Sequence, residues 1–181
     1  MRVITGTARG RKLLAPPGTD TRPTTDKVKE AVCSALQFDF PGAVILDLFA
    51  GSGQMAIEAL SRGAAKAVLT DADERAVRCI RQNIAGCGLS ERAEVLRSDA
   101  FSYLQRCTAA FDIAFLDPPY GKNILQQILP VLAEKMQRTG IIVCEHEPEC
   151  KLPDRIQNFY LQKQKKYGKI MISIYRQPEE L

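Results

Sequence analysis

From residue 43 to residue 145 the chain alternates short apolar runs with stretches of helical periodicity, a rhythm few folds can accommodate. The apolar runs at 43–49, 65–71, 93–98, 111–116 and 140–145 read as strands. Helices are expected at 54–62, 74–85, 101–106 and 124–136, the second closing at Gly86 or Gly88. Strands joined through helices run parallel with right-handed crossovers, so the pattern predicts an α/β, doubly wound sheet covered on both faces. The tail breaks this rhythm. Segments 157–165 and 169–176 flank Tyr167-Gly168, with Ile170, Ile172 and Ile174 in strict alternation, and predict an antiparallel hairpin on one edge. The expected sheet is mostly parallel and seven-stranded.

Upstream of this unit lies the proline-rich stretch Ala15–Pro23, which cannot form a regular element. Residues 2–14 read as a small hairpin around Gly6 and Gly10. A helix carrying Val28, Ala31, Val32, Ala35 and Leu36 on one stripe follows Thr24 or Thr25, either of which suits an N-cap. The expected division is a basic N-terminal hairpin extension at 1–23 and a main domain at 24–181. A length of 181 residues suits one domain with a small appendage. No apolar stretch approaches the ~20 residues needed to cross a bilayer, and Met1–Gly10 has no signal-like apolar core. A soluble, cytoplasmic protein is expected. The six cysteines are scattered and His146 is the only histidine, so free thiols and no metal site are expected.

Charge is unevenly placed. Residues 1–40 carry a net +3, residues 41–149 a net −3 and residues 150–176 a net +6. The densest runs are Arg9-Gly-Arg-Lys12 and Lys163-Gln-Lys-Lys-Tyr167. Either run alone reads as a solvated face. Two of them around an acidic centre favour a polyanion, whose counterions are released on binding.

Ala50-Gly-Ser-Gly-Gln-Met-Ala56 follows the first strand and opens a helix. Glycines there let backbone N–H groups approach a ligand at the positive end of the helix dipole. The spacing also satisfies a nicotinamide-dinucleotide pattern, with Asp71 twenty residues after Gly51. Asp47 argues against a pyrophosphate beside it, because like charges repel in a partly desolvated site. It suits a ligand bearing an ammonium and a sulfonium, as S-adenosylmethionine does. Asp71 is then placed for ribose hydroxyls. Asp99, with the Ala100 N–H, is placed for an adenine amino group or, alternatively, for an N-cap.

Asp117-Pro-Pro-Tyr120 ends the fourth strand, at the carboxyl edge where open α/β sheets bind ligands. Two prolines stiffen the backbone and remove two N–H donors. The result is a rigid run of acceptors beside an aromatic ring. That surface matches an exocyclic amino group on a planar base: Asp117 and the Pro118 carbonyl would hold the N–H donors, and Tyr120 would stack, contributing about 1–3 kcal/mol. Such a nitrogen is a poor nucleophile until its lone pair is freed from the ring, and an activated methyl then needs chiefly in-line positioning. The alternative is a proline turn with a core tyrosine.

The ordered set Asp47-Leu-Phe-Ala-Gly-Ser-Gly53, Asp71, Asp99 and Asp117-Pro-Pro-Tyr120 resembles the class I S-adenosylmethionine-dependent amino-methyltransferases, whose fold is Rossmann-like. Val3–Leu13, Arg22–Ala31 and Glu58-Ala-Leu-Ser-Arg-Gly-Ala64 look like the RsmD family, the 16S ribosomal RNA guanine-N2 methyltransferases. The resemblance spans residues 2 to about 176, departing at Cys33 and Gln54. It implies Asp117, Pro118, Pro119 and Tyr120 as catalytic, and Asp47, Phe49, Gly51, Gly53, Asp71, Asp99 and Ala100 as cofactor-binding. It further implies RNA contacts at Arg9, Arg11, Lys12, Arg22, Thr24 and Thr25. The substrate would be small-subunit ribosomal RNA or an assembling 30S particle, and the protein a monomer. A DNA adenine-N6 methylase, a nicotinamide-dependent oxidoreductase and a non-catalytic RNA-binding protein are the competing readings.

Overall fold

The computed structural model describes residues 1–18 and 25–178. Parallel strands β1 (Val44–Asp47), β2 (Lys66–Asp71), β3 (Ala93–Arg97), β4 (Phe111–Leu116) and β5 (Met136–His146) form the main sheet. Strands β6 (Arg155–Ile156), β7 (Phe159–Tyr167) and β8 (Ile170–Arg176) extend it antiparallel, in the order β3-β2-β1-β4-β5-β8-β7-β6. The two-residue β6 makes eight strands where seven were expected.

Alternation along each strand sends side chains to two cores. On one face Ile45, Leu69, Ile113, Phe115 and Val143 pack against α1 (Asp26–Ala35), α2 (Gln54–Ser61) and α3 (Glu74–Gly86). On the other, Leu46, Ala114, Leu116 and Ile142 meet α4 (Ala100–Arg106) and α5 (Ile124–Ala133). The chain reverses direction across the sheet between β1 and β4, which opens a crevice at their carboxyl ends.

Thr25 caps α1, its Oγ1 accepting from the Val28 N–H at 3.3 Å. The helix expected to reach residue 136 instead stops at Ala133, and β5 begins at Met136 rather than Gly140. Met136 pairs with Phe111, a long-range contact that local periodicity cannot register.

The N-terminal hairpin reduces to one antiparallel bridge, Arg2 with Lys12, and no strands. Side chains of the main unit hold this segment. Glu58, fully buried, accepts the Ile4 and Thr5 N–H groups at 2.8 and 2.9 Å. Ser61 Oγ accepts from Ala8 N–H and donates to the Thr5 carbonyl. Asn83 accepts the Leu14 N–H and donates to its carbonyl. Gly6 has φ +88°, and a Cβ there would fall 1.8 Å from the Ser61 carbonyl oxygen, so only glycine fits. Val3, Ala8 and Leu13 belong to the core. All six cysteines are free thiols, three of them buried. Among the described residues no helix is long and apolar enough to cross a membrane.

Candidate active site

Strand β1 ends in Asp47, whose carboxyl is 4 % exposed and accepts the backbone N–H of Ala56 in α2. Burial pushes its pKa up to about 7; the Ala56 N–H opposes the shift and Asp71 adds to it. The chain then turns through Phe49, Ala50, Gly51 and Ser52 into Gly53, a left-handed N-cap with no side chain to cap the helix. At Gly53 the turn packs closely: a Cβ there would lie 3.1 Å from Leu69 and 3.3 Å from Ile80. Gly51, also at positive φ, faces open space.

Asp71, at the end of β2, is half-buried and ties this turn down. Its Oδ2 accepts the Gly51 N–H at 3.0 Å and its Oδ1 the Asp73 N–H at 2.9 Å. Each oxygen keeps a second lone pair for a ligand hydroxyl. Asp99 is exposed and caps α4 through the Ser102 N–H at 3.0 Å, which holds its carboxyl below the ordinary carboxylate pKa. The N-cap alternative is thus realised, beside the buried Ala100.

Asp117 follows β4 and lines a cleft with Asp47, Phe49, Met55 and Glu145, and with Val28 and Val32 of α1. It is open to solvent across the mouth of the cleft, while protein surrounds it on the other sides. That enclosure, then Glu145, then Asp47 push its carboxyl well above the usual range. Pro118 is buried and Pro119 exposed. Tyr120 is 46 % exposed, so it is not a core tyrosine. The next residue, Gly121, donates its N–H to Glu147 at 3.2 Å.

The crevice therefore joins Asp47, Phe49 and Asp117, with Asp71, Gly51 and Gly53 on the adjoining turn. Arg9, Arg11 and Lys12 are exposed, on the loop fastened to α2 and α3, and do not line the cleft. Arg22 and Thr24 lie outside the described residues. Glu145, near the end of β5 and 7 % exposed, is the acid that sequence reasoning missed. Its signal was an acid closing the apolar run Ile141–Cys144 at the carboxyl edge. Gln54, a departure from the resemblance, also lines the cleft. A larger groove between α5 and β6, lined by Leu129, Leu152, Arg155 and Ile156, holds no acid and sits away from the crevice.

Chemically, the cleft concentrates carboxyls beside the N-terminus of α2. It suits a ligand with positive charge and repels a pyrophosphate. The family model described as conserved hypothetical protein 95 matches residues 1–176. The chain is similar to YlbH of Bacillus subtilis, 39% identical over 97% of this chain and 98% of that protein. It is similar to ribosomal RNA small subunit methyltransferase D of Escherichia coli, 34% identical over 97% of this chain and 89% of the relative. Among solved structures, the yhhF protein of Escherichia coli superposes with a TM-score of 0.88 at 35% identity, covering 98% of this chain and 97% of that one.

Proposed function

This chain belongs to the conserved hypothetical protein 95 family, the methyltransferase family of RsmD and YlbH, and from that premise we propose that it methylates a guanine N2 in small-subunit ribosomal RNA. The observation that carries the reading is Asp117, at the mouth of a cleft it shares with Asp47, immediately before a rigid Pro-Pro and an exposed Tyr120.

The residues present fit S-adenosylmethionine. Asp47 supplies negative charge in a low-dielectric cleft, and cationic charge on a ligand would offset the burial that raises its pKa. Asp71 is placed for ribose hydroxyls, Asp99 and the Ala100 N–H for adenine, and Phe49, Gly51 and Gly53 for the wall between them. When bound, that cosubstrate supplies an electrophilic methyl group on sulfur.

Asp117 and the Pro118 carbonyl accept hydrogen bonds from the amino group and turn its lone pair toward the methyl carbon. Methyl transfer to N2 would leave the bond's electron pair on sulfur, as a thioether, and a surplus proton on the nitrogen. The surplus proton on nitrogen passes to the Asp117 carboxylate, made more basic by its surroundings, or to water. Tyr120 and Pro119 border the base. Arg9, Arg11 and Lys12 hold RNA phosphates, with Arg22, Thr24 and Thr25 as further contacts.

The test is incubation of the protein and labelled cosubstrate with small subunits from a strain lacking the activity, followed by nucleotide mapping. Label in N2-methylguanosine is expected. Absence of that label despite demonstrated cosubstrate binding rejects the substrate, and preferential labelling of duplex DNA would move the assignment to an adenine-N6 methylase.

A further inference from the structure

Asp47 and Asp117 have roles in the reading above, and Glu145 has none. Leu116 of β4 pairs in parallel register with Cys144 of β5, so Asp117 and Glu145 occupy the next rung, side by side and on the same face. Both line the cleft with Asp47. Val143 and Ile172, the latter its partner on β8, line the same cleft. Two carboxyls set side by side repel each other. A ligand that presents two adjacent N–H donors would offset that repulsion.

The edge chemistry of the bases supplies one. Guanine, adenine and cytosine each carry an exocyclic amino group, so an acceptor corner alone does not tell them apart. In guanine one of the two ring nitrogens beside the amino group, N1–H, is a donor. In adenine and cytosine the corresponding ring nitrogen is an acceptor. A second acceptor next to Asp117 therefore attracts guanine and sets lone pair against lone pair for the other two.

We propose that Glu145 selects guanine: its carboxylate accepts the guanine N1–H while Asp117 and the Pro118 carbonyl hold the N2 amino group. This rests on the methylation reading above. Glu145 is a specificity residue in this assignment. It exchanges no proton, and it holds N1–H equally before and during methyl transfer.

The test is Glu145→Met, which keeps the length and removes both acceptor oxygens, with Glu145→Asp as the variant that keeps the charge. Small subunits lacking the modification are titrated with each enzyme, the product nucleotide is mapped, and S-adenosylhomocysteine binding is measured by calorimetry. For Glu145→Met, kcat/KM is expected to fall about 10- to 100-fold, the scale of one base-edge contact. The fall should lie in KM, with kcat and S-adenosylhomocysteine affinity within about threefold of wild type, because the lost contact is uniform between ground and transition states. Glu145→Asp should recover part of the loss. Wild-type KM in Glu145→Met overturns the assignment, as does a loss carried by kcat or shared with S-adenosylhomocysteine affinity. A wild-type enzyme that makes no N2-methylguanosine would instead reject the methylation reading itself.

Discussion

Replacing Glu58 by alanine should detach the N-terminal loop, and the structure sets the size of the effect. The carboxylate is fully buried and accepts from the Ile4 N–H, the Thr5 N–H and Arg62 Nε at 2.8, 2.9 and 2.9 Å. Lys29 Nζ, also fully buried, lies 3.9 Å away and donates to the Arg2 carbonyl at 2.6 Å. Truncation strands two backbone donors and leaves two buried cations short of their counter-charge. Breaking a buried charge pair from one side costs about 3–5 kcal/mol, to which the stranded amides add non-additively. At this chain length such a loss lowers the melting temperature by about 10 °C. Limited trypsin digestion supplies the local readout: cleavage at Arg9, Arg11 or Lys12 should accelerate before the rest of the chain opens. Glu58→Gln, which keeps one acceptor oxygen, should fall between alanine and wild type. A melting temperature within about 2 °C of wild type for Glu58→Ala, with unchanged trypsin sensitivity, would refute the role given to this carboxylate.

Asp47 gives a pH dependence with a defined sign. Its folded pKa of about 7 lies above the ordinary carboxylate value. The folded state therefore binds its proton more tightly than the unfolded state, and stability falls as pH rises from about 4 toward 7. Asp47→Asn should flatten that slope and be more stable than wild type at pH 8 but not at pH 4.5, as urea melts at the two pH values will show. The Arg9→Ala, Arg11→Ala, Lys12→Ala triple variant should keep its melting temperature, because all three side chains are exposed. Its affinity for small-subunit RNA should fall, and the salt slope should shrink by up to ~2. Filter binding across a salt series measures both.

The parallel core was legible because each of its strands carries its own apolar run and each crossover its own helical stripe. The fourth strand and its Asp117-Pro-Pro-Tyr120 terminus were legible for the same reason. What escaped depends on contacts between distant residues. Met136 fits a helical stripe as well as a strand, and only Phe111 across the sheet decides between them. Arg155–Ile156 is too short to show a period and exists through its pairing with Phe159 and Tyr160. The N-terminal segment has turn glycines without strands, because Glu58, Ser61 and Asn83 satisfy its backbone in place of a ladder. Glu145 escaped as a single acid behind an apolar strand, where only the register with β4 sets it beside Asp117. Thr25 was read both as a cap and as an RNA contact, and the structure shows the cap.

The central claim is that Asp117 acts on the amino group and not on the cosubstrate. Asp117→Ala, assayed for methyl transfer to small subunits and for S-adenosylhomocysteine binding by calorimetry, tests it directly. Turnover is expected to drop by about a thousandfold or more, as for groups that act only in the transition state, with affinity for S-adenosylhomocysteine nearly intact. Unchanged turnover, or a loss of turnover matched by a loss of that affinity, would contradict it.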